Sequence, residues 1–292
     1  LGSSEVQTKA VEVAAAIGIS GVSQILRDYA TDANSALPLR RQALVGLVRM
    51  EKGAAKPDVE KMLVDDSPVM RGEALALYAK LDPQAALPVI EKATASQSPF
   101  ERQAAWDAAA KLDSSEAKRL IEDGLKKYLA GSMPPDVWLN VIEAAEGRVS
   151  TKLIEQLNEF DKQNAESDPL AGYRDCIMGG DETVGKHLFF HKSELSCVRC
   201  HKVVATGGEV GPNLTEIGKL KDSRYLLESI VNPDAKIAEN FETVVILTED
   251  DEIISGILRK ESDKAIELMN AEGKLITIDP EIVVSRKKGK SS

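Results

Sequence analysis

A repeat of 31 residues runs from about residue 36 to residue 113 and constrains the fold more than any other feature of the sequence. Matching positions carry an arginine, then an alanine, a large apolar residue and a basic residue. They are Arg40, Arg71 and Arg102; Ala43, Ala74 and Ala105; Leu44, Leu75 and Trp106; and Arg49, Lys80 and Lys111. Within each copy the apolar residues recur three and four apart, which predicts a pair of amphipathic helices.

Helix pairs of this kind cannot bury their apolar faces alone, so they must stack on one another. We therefore predict a mainly α fold whose first domain, residues 1–165, is a right-handed α-solenoid of the HEAT-like kind. Ser67-Pro68 and Ser98-Pro99 predict helix starts with a serine N-cap. Trp106 and Trp138 are expected in the core. The second helices are expected at 58–64, 85–93 and 116–129, with a further pair at 137–145 and 151–160.

Charge and hydropathy exclude two classes of function. The 292-residue chain has a formal net charge of -10, which argues against a protein that tracks nucleic-acid phosphates. Its one short basic run, residues 286–290, is expected to be a solvated tail. No apolar run approaches the roughly 20 residues that a membrane helix needs, so we predict no membrane span.

The most informative short motif is Cys197-Val198-Arg199-Cys200-His201. Cysteines three apart share one face of a helical turn, so both thiols can reach the edge of one porphyrin. The histidine that follows can bind the iron. The motif predicts one covalently attached c-type haem, with Cys197 and Cys200 as the thioether positions and His201 as the proximal iron ligand.

A second motif, Gly211-Pro212-Asn213-Leu214, begins ten residues after His201. A metal-bound histidine needs an acceptor for its other ring nitrogen. Proline keeps its carbonyl and holds it still, because the ring fixes φ. We expect Gly211 to allow a close backbone approach. Pro212 and Leu214 are predicted to line the haem pocket.

Two more domains are predicted after a polar linker at residues 161–168. Residues 166–240 are expected to form a cytochrome c-like helical haem domain with helices at 184–191 and 220–231. Residues 241–292 are expected to form a small β module and C-terminal tail, because the apolar period becomes alternating. Its strands are expected at 241–247, 253–259, 265–269, 275–278 and 282–284. Residues 249–252 and 270–273 are expected to be turns, and Cys176 a small buried residue.

Several segments together resemble the planctomycete-type haem-binding domain. They are Gly179-Gly180-Asp181 and residues 197–203, 207–215, 225–229 and 237–243. The resemblance covers about residues 173–285, and the repeats match only by type. In that family the domain ends large exported proteins, behind helical repeats and often behind a propeller resembling sorbosone dehydrogenase, a membrane-bound-dehydrogenase-like protein. The resemblance implies a periplasmic or otherwise exported monohaem cytochrome c. It would be an electron carrier rather than an enzyme, and would accept electrons from an associated or fused dehydrogenase domain.

The resemblance also implies a sixth iron ligand. Family members usually continue after the last strand into a Ser-x-Met-Pro segment whose methionine is expected to bind iron, whereas this sequence ends at Ser292. We therefore expect the sequence to be a fragment, as Leu1-Gly2-Ser3-Ser4 also indicates, and the natural sixth ligand to lie beyond residue 292. Alternatives within the chain are Met178, His187, His191 and Met269.

Other interpretations of the cysteine motif stay open at this point. A structural zinc site would use Cys197, Cys200 and two of Cys176, His187, His191 and His201, but it leaves the Gly-Pro-Asn-Leu motif unexplained. A thioredoxin-like redox pair would need a preceding strand and a βαβ setting, which the pattern does not predict. A third interpretation is an interaction scaffold in which the motif is structural and the repeats grip a partner protein.

Overall fold

The structure is a computed structural model of the chain, and it describes residues 4–165, 168–180 and 182–290. The segments outside these ranges include Asp181 of the Gly179-Gly180-Asp181 motif, part of the predicted linker and both chain ends. The described residues form 14 α-helices and one antiparallel five-stranded sheet, so this part of the chain is mainly α as predicted. The chain divides into two compact units, Leu1–Ser167 and Asp168–Ser292. The predicted boundary at residue 240 stays a prediction.

The first unit is helical throughout its described residues. Its helices are α1 (Ser4–Ile17), α2 (Ser23–Thr31), α3 (Leu37–Glu51), α4 (Lys56–Met62), α5 (Pro68–Leu81), α6 (Pro83–Ala93), α7 (Pro99–Ala109), α8 (Ser115–Leu129), α9 (Trp138–Ala145) and α10 (Thr151–Ala165). Short 3-10 turns at Lys52–Ala55 and Pro135–Val137 precede α4 and α9.

These helices pack in two rows. In one row α1, α3, α5, α7 and α9 each contact the next member, and in the other α6 contacts α8 and α8 contacts α10. A single apolar core runs between the rows and includes Leu44, Leu75 and Trp106, which occupy the same repeat position. The 31-residue spacing therefore places equivalent side chains in equivalent sites of one continuous core.

The repeated arginines join consecutive helix pairs. Each one donates to a backbone carbonyl of an earlier turn and to a carboxylate near the start of the next pair. Arg71 bonds the Asp65 carbonyl at 2.6 Å and the Glu101 carboxylate at 2.7 Å. Arg102 bonds the Ser96 carbonyl at 2.5 Å and Asp136 at 2.7 Å. The first repeat follows the same rule, with Arg40 bonded to the Ala30 carbonyl at 3.2 Å and to Asp65 at 2.5 Å.

Two local predictions for the first unit were wrong, and the bounds of a third were shifted by two residues. The Ser67 hydroxyl caps α5 by accepting from the Met70 amide, but the Ser98 side chain caps nothing. The Ser98 amide instead donates to the Ser96 hydroxyl. The linker expected at 161–168 is helical up to Ala165. Phe160 of α10 packs against the core, and the helix continues for one more turn beyond it. The helix expected at 58–64 spans Lys56–Met62, since Pro57 suits a first helical turn.

The second unit combines short helices with the sheet. Its helices are α11 (Glu182–His191), α12 (Cys197–Cys200), α13 (Ile217–Leu220) and α14 (Ser223–Val231), with a 3-10 turn at Ala171–Cys176. The strands are β1 (Thr243–Thr248), β2 (Ile253–Ser262), β3 (Ala265–Met269), β4 (Leu275–Ile278) and β5 (Val283–Lys288), in the order β4-β3-β2-β1-β5. The bounds predicted for the third and fourth strands are confirmed. The turn predicted at 270–273 joins them, and the exposed turn predicted at 249–252 joins β1 to β2.

Three other predictions for this unit fail. Residues 286–288 of the basic run pair with β1 as part of β5 rather than forming a tail, and Arg286 forms an ion pair with Glu261 at 2.7 Å. Cys176 is exposed, because it ends a surface 3-10 turn. The helix expected at 220–231 begins only at Ser223, as α14, since the Asp222 carboxylate accepts from the Tyr225 amide and caps the helix there, while Leu220 ends α13. No described helix is long and apolar enough to cross a membrane.

Candidate haem-attachment site

The cysteine motif forms a single helical turn. Ser196 has a left-handed backbone with φ 52°, which turns the chain sharply into α12. The His201 amide then donates to the Cys197 carbonyl at 3.0 Å, which closes the turn, and the chain leaves it in an extended conformation. Cys197 and Cys200 therefore lie one turn apart with His201 directly after them, as the spacing predicts.

The following loop folds back along this turn. The amides of Gly208, Gly211 and Leu214 donate to the carbonyls of Val198, Cys200 and Lys202 at 2.9, 2.7 and 2.9 Å. A β-carbon on Gly208 would lie 2.0 Å from the Arg199 carbonyl oxygen. Glycine is required there because the two backbone segments run side by side without room for a side chain.

His201 is held by the acceptor that the sequence predicts. Its Nδ1 atom lies 2.9 Å from the carbonyl oxygen of Pro212. A carbonyl can only accept, so Nδ1 carries the proton of the neutral ring and Nε2 keeps its lone pair. An imidazole fixed in this way presents Nε2 to a metal, and the hydrogen bond at Nδ1 raises the basicity of that ligand.

The cysteine sulfurs are available for covalent chemistry. Cys197 and Cys200 are half-buried and not joined in a disulfide. The Cys197 sulfur makes a long hydrogen-bond contact of 3.8 Å with the Leu195 carbonyl. Thioether formation needs two such thiols beside each other, and α12 supplies both.

The structure does not assemble the zinc site considered above. Over residues 4–165, 168–180 and 182–290, no three His, Cys, Asp or Glu side chains lie close enough to share a metal ion. His187 and His191 face each other on the exposed surface of α11, with ring centroids 5.3 Å apart. A closed zinc site needs four ligands around one point, so the geometry does not favour it.

The segment around the motif packs in an unusual way. None of the described residues from 172 to 243 is buried, although the first unit and the sheet each have a fully buried core. Large apolar side chains of this segment, such as Phe189, Phe190, Leu214 and Leu226, are half-buried. A fold of this kind suits a large apolar group packed among its side chains, as a porphyrin is. The residues present therefore fit a haem.

An ion pair ties the loop to the residue that follows His201. Lys202 Nζ lies 2.8 Å from the Glu209 carboxylate. The hydrogen bond from Lys202 holds the pKa of Glu209 below its ordinary value, and the charges of Lys202 and Arg259 act in the same direction. The lowered pKa keeps Glu209 ionised to lower pH, and this largely exposed ion pair contributes only modestly to holding the loop.

Sequence reasoning missed three residues that build this loop. Asn213 Oδ1 accepts from the Thr215 amide at 2.9 Å and from its hydroxyl at 2.6 Å, and the Thr215 hydroxyl accepts from the Val204 amide at 2.7 Å. The Asn-Leu-Thr order could have signalled this Asx turn. Arg259, on β2, donates to the Glu209 carbonyl at 2.7 Å. No sequence signal identifies that long-range contact.

The alternative sixth ligands lie in different places. Met178 is exposed, and His187 and His191 lie on the surface of α11. Met269 belongs to β3, where its sulfur lies 3.4 Å from Arg259 Nη2. Comparison with known proteins finds no family model that matches the chain and no curated protein similar to it. The resemblance therefore depends on the quoted motifs.

Proposed function

We propose that this chain carries one covalently bound haem c and transfers electrons through it. In this proposal Cys197 and Cys200 form the thioethers and His201 Nε2 is the proximal iron ligand. The observation that carries the proposal is the 2.9 Å contact between His201 Nδ1 and the Pro212 carbonyl, made directly beside two neighbouring thiols. An axial histidine needs its tautomer and orientation fixed. A zinc ligand needs the same, but a closed zinc site also needs four ligands around one point, and the described residues bring no three candidate ligands together.

The chain's own residues have separate tasks at this site. When bound, the haem supplies a one-electron couple at its iron. Pro212 orients the His201 ring and keeps its proton on Nδ1. Gly211 leaves room for that ring, since a β-carbon there would lie 2.7 Å from His201 Cε1. Leu214 and the half-buried phenylalanines of α11 supply apolar surface that keeps water away and favours small reorganisation on electron transfer.

We further propose that the second unit contains a cytochrome c-like domain and that the first is a HEAT-like α-solenoid. The two rows of helices and the arginines that link successive pairs support the solenoid. The proposed partner is a redox protein or fused dehydrogenase domain, in the exported compartment where haem c is attached. Any dehydrogenase activity would then belong to that partner, and this chain would be an electron carrier.

The test is to produce the protein in a host with the haem c maturation machinery and to measure its mass and visible spectrum. We expect a red protein whose denatured mass exceeds that of the polypeptide by one haem. Cys197→Ser and Cys200→Ser should each remove one covalent link, and the double variant should lose all covalent haem. Cys176→Ser is the matched control and should keep the full load. A colourless wild-type protein with the bare polypeptide mass would refute the proposal.

A second measurement separates an electron carrier from a scaffold with a structural haem. The purified haem protein is mixed anaerobically with a reduced dehydrogenase and followed by visible absorption. A carrier should be reduced within the turnover time of the dehydrogenase and reoxidised by an added acceptor. A haem that stays oxidised under these conditions, yet is reduced by dithionite, would favour the scaffold.

A further inference from the structure

Strand β2 contains one residue more than its partner requires. Leu258 faces Leu268 and Lys260 faces Glu267, so Arg259 is the extra residue of a β-bulge between β2 and β3. A bulge interrupts the alternation of a strand and redirects the side chain at that point. Here the side chain is redirected toward the loop that precedes Gly211.

The contacts of Arg259 form a clamp on that loop. Its Nη2 atom lies 2.7 Å from the carbonyl oxygen of Glu209 and 3.4 Å from that of Val210. The guanidinium carbon lies 4.9 Å from the ring centroid of Phe241, within the range of a cation–π contact. Its Nε atom is buried without a hydrogen-bond partner. A buried N–H without a partner is costly, so this placement of the Arg259 side chain carries a free-energy penalty.

The clamped residues lead directly to His201. Gly211 follows Val210 and donates its amide to the Cys200 carbonyl at 2.7 Å, and the next residue is Pro212. Any displacement of the 209–210 backbone therefore moves the acceptor of the His201 ring. The β3–β4 turn lies close to the same loop, because a β-carbon added to Gly273 would be 3.7 Å from the Val210 side chain.

We propose that Arg259 is a positioning residue for His201, and that the sheet therefore helps to fix the geometry of the site through β2. The guanidinium holds the backbone of Glu209 and Val210 so that the Pro212 carbonyl stays against His201 Nδ1. The naming of His201 as iron ligand rests on the proposed function. The clamp itself is a property of the polypeptide and can be tested without haem.

The first test is amide hydrogen exchange of the haem-free full chain. We expect Arg259→Gln to speed exchange of the Gly211 and Leu214 amides by about tenfold. The variant removes the hydrogen bond from Arg259 to the Glu209 carbonyl, and the loss of about one hydrogen bond makes opening of the loop easier by about that factor. Arg259→Lys should recover part of the protection, since one ammonium cannot reproduce the planar fork. Arg286→Gln, an exposed arginine of the same sheet paired with Glu261, is the matched control and should leave both amides unchanged. The Ile246 and Leu268 amides report whether the sheet core stays folded.

The second test uses the haem-loaded protein and its reduction potential. Arg259→Lys keeps the charge but weakens the clamp, so a weaker hydrogen bond at Nδ1 should raise the potential by making His201 a poorer donor to oxidised iron. Arg286→Gln should leave the potential at the wild-type value. A merely structural role for Arg259 predicts no difference between these variants.

The outcomes keep the two proposals apart. Gly211 exchange at the wild-type rate in Arg259→Gln, with the sheet amides protected, would overturn the clamp. If Arg259→Gln unfolds the sheet, Arg259→Lys provides the test. Exchange of the Gly211 amide at the wild-type rate in Arg259→Lys would then overturn the clamp. A wild-type protein that never takes up haem would refute the proposed function, while the exchange data would still decide the clamp.

Discussion

Gly211 lies so close to His201 that a β-carbon on the glycine would be 2.7 Å from Cε1 of the ring and 2.8 Å from Nδ1. Real β-carbons do not approach other atoms to this distance, so Gly211→Ala must displace the ring or the loop. We expect this variant to weaken the Pro212–His201 hydrogen bond and to lower the yield of correctly ligated haem by about tenfold, as second-shell changes at metal sites do. The measurement is the ratio of haem absorbance to protein absorbance after purification.

The matched control for that variant is Gly218→Ala. Gly218 lies in α13, and an added β-carbon there would meet nothing within 4 Å. We expect wild-type haem content from the control. Equal haem content and an unchanged spectrum in Gly211→Ala would contradict the role assigned to this close approach.

In the first unit, Gly124 of α8 leaves room for the ring of Trp106. A β-carbon on Gly124 would lie 2.5 Å from Cη2 of that ring, which is 3% exposed. Alanine in place of glycine stabilises a helix by about 1 kcal/mol, but overpacking a rigid core costs about 1–3 kcal/mol. The clash should prevail because the β-carbon would meet a rigid ring, so we expect Gly124→Ala to lower the free energy of unfolding by up to about 2 kcal/mol in urea titrations.

Gly53→Ala provides the opposite case. An added β-carbon at Gly53 meets nothing within 4 Å, so only the backbone effect should remain. We expect a small gain in the free energy of unfolding, up to about 1 kcal/mol. A stabilised Gly124→Ala variant would show that the Trp106 ring moves freely, contrary to its tight packing.

The ion pair between Glu101 and Arg71 makes the first unit sensitive to acid. The hydrogen bond from Arg71 holds the pKa of Glu101 below its ordinary value, and a 2.6 Å hydrogen bond from the Ser96 hydroxyl adds to this. A carboxyl whose pKa is lowered by folding contributes stability above its unfolded pKa, and this stability is lost as pH falls through the folded pKa. We therefore expect wild-type stability to fall from about pH 5 downward.

Glu101→Gln removes this titrating group. Its free energy of unfolding should be lower than that of wild type at neutral pH and should change less as the solution is acidified. Ser96→Ala removes the hydrogen bond from the Ser96 hydroxyl to Glu101 but leaves both of those from Arg71, so its stability should lie between them. Urea titrations at a series of pH values check this order, and identical pH slopes in all three proteins would contradict it.

Val204 is strained beside the proposed site. It has φ 55° at the first position of the two-residue turn between Val203 and Thr206, and its side chain is 72% exposed. Glycine is favoured at such a position, and a left-handed backbone costs a β-branched residue about 1–2 kcal/mol. We expect Val204→Gly to raise the free energy of unfolding of the second unit by about 0.5–1 kcal/mol, after the entropy cost of glycine.

Ala205→Gly is the control in the same turn. The backbone of Ala205 does not have a positive φ, so glycine at this position would bring only its entropy cost. A loss of stability is expected from it, in contrast to the gain at Val204. Equal losses from both substitutions would show that the backbone at Val204 is not strained.

Sequence reasoning worked where a short stretch of chain decides its own structure. The apolar period predicted helices now seen as α6, α8 and α9 to within a few residues, because an amphipathic face needs only local spacing. The alternation and the Asn270–Gly273 turn predicted β3 and β4 with their observed ends. The same reasoning failed for residues 286–288. Their charged side chains indicated a solvated tail, but their backbone pairs with β1, which is distant in sequence.

The sequence by itself determined the helical repeats, the spacing of Cys197, Cys200 and His201, and the presence of a proline carbonyl within reach of the histidine, because these depend on local periodicity and chain stereochemistry. Only the tertiary structure decided that Arg259 clamps the loop before Gly211, that Cys176 is exposed and that residues 172–243 have no buried core among those described. Those features depend on which distant surfaces come together. Burial and long-range hydrogen bonds are properties of the packed chain, and no local pattern encodes them.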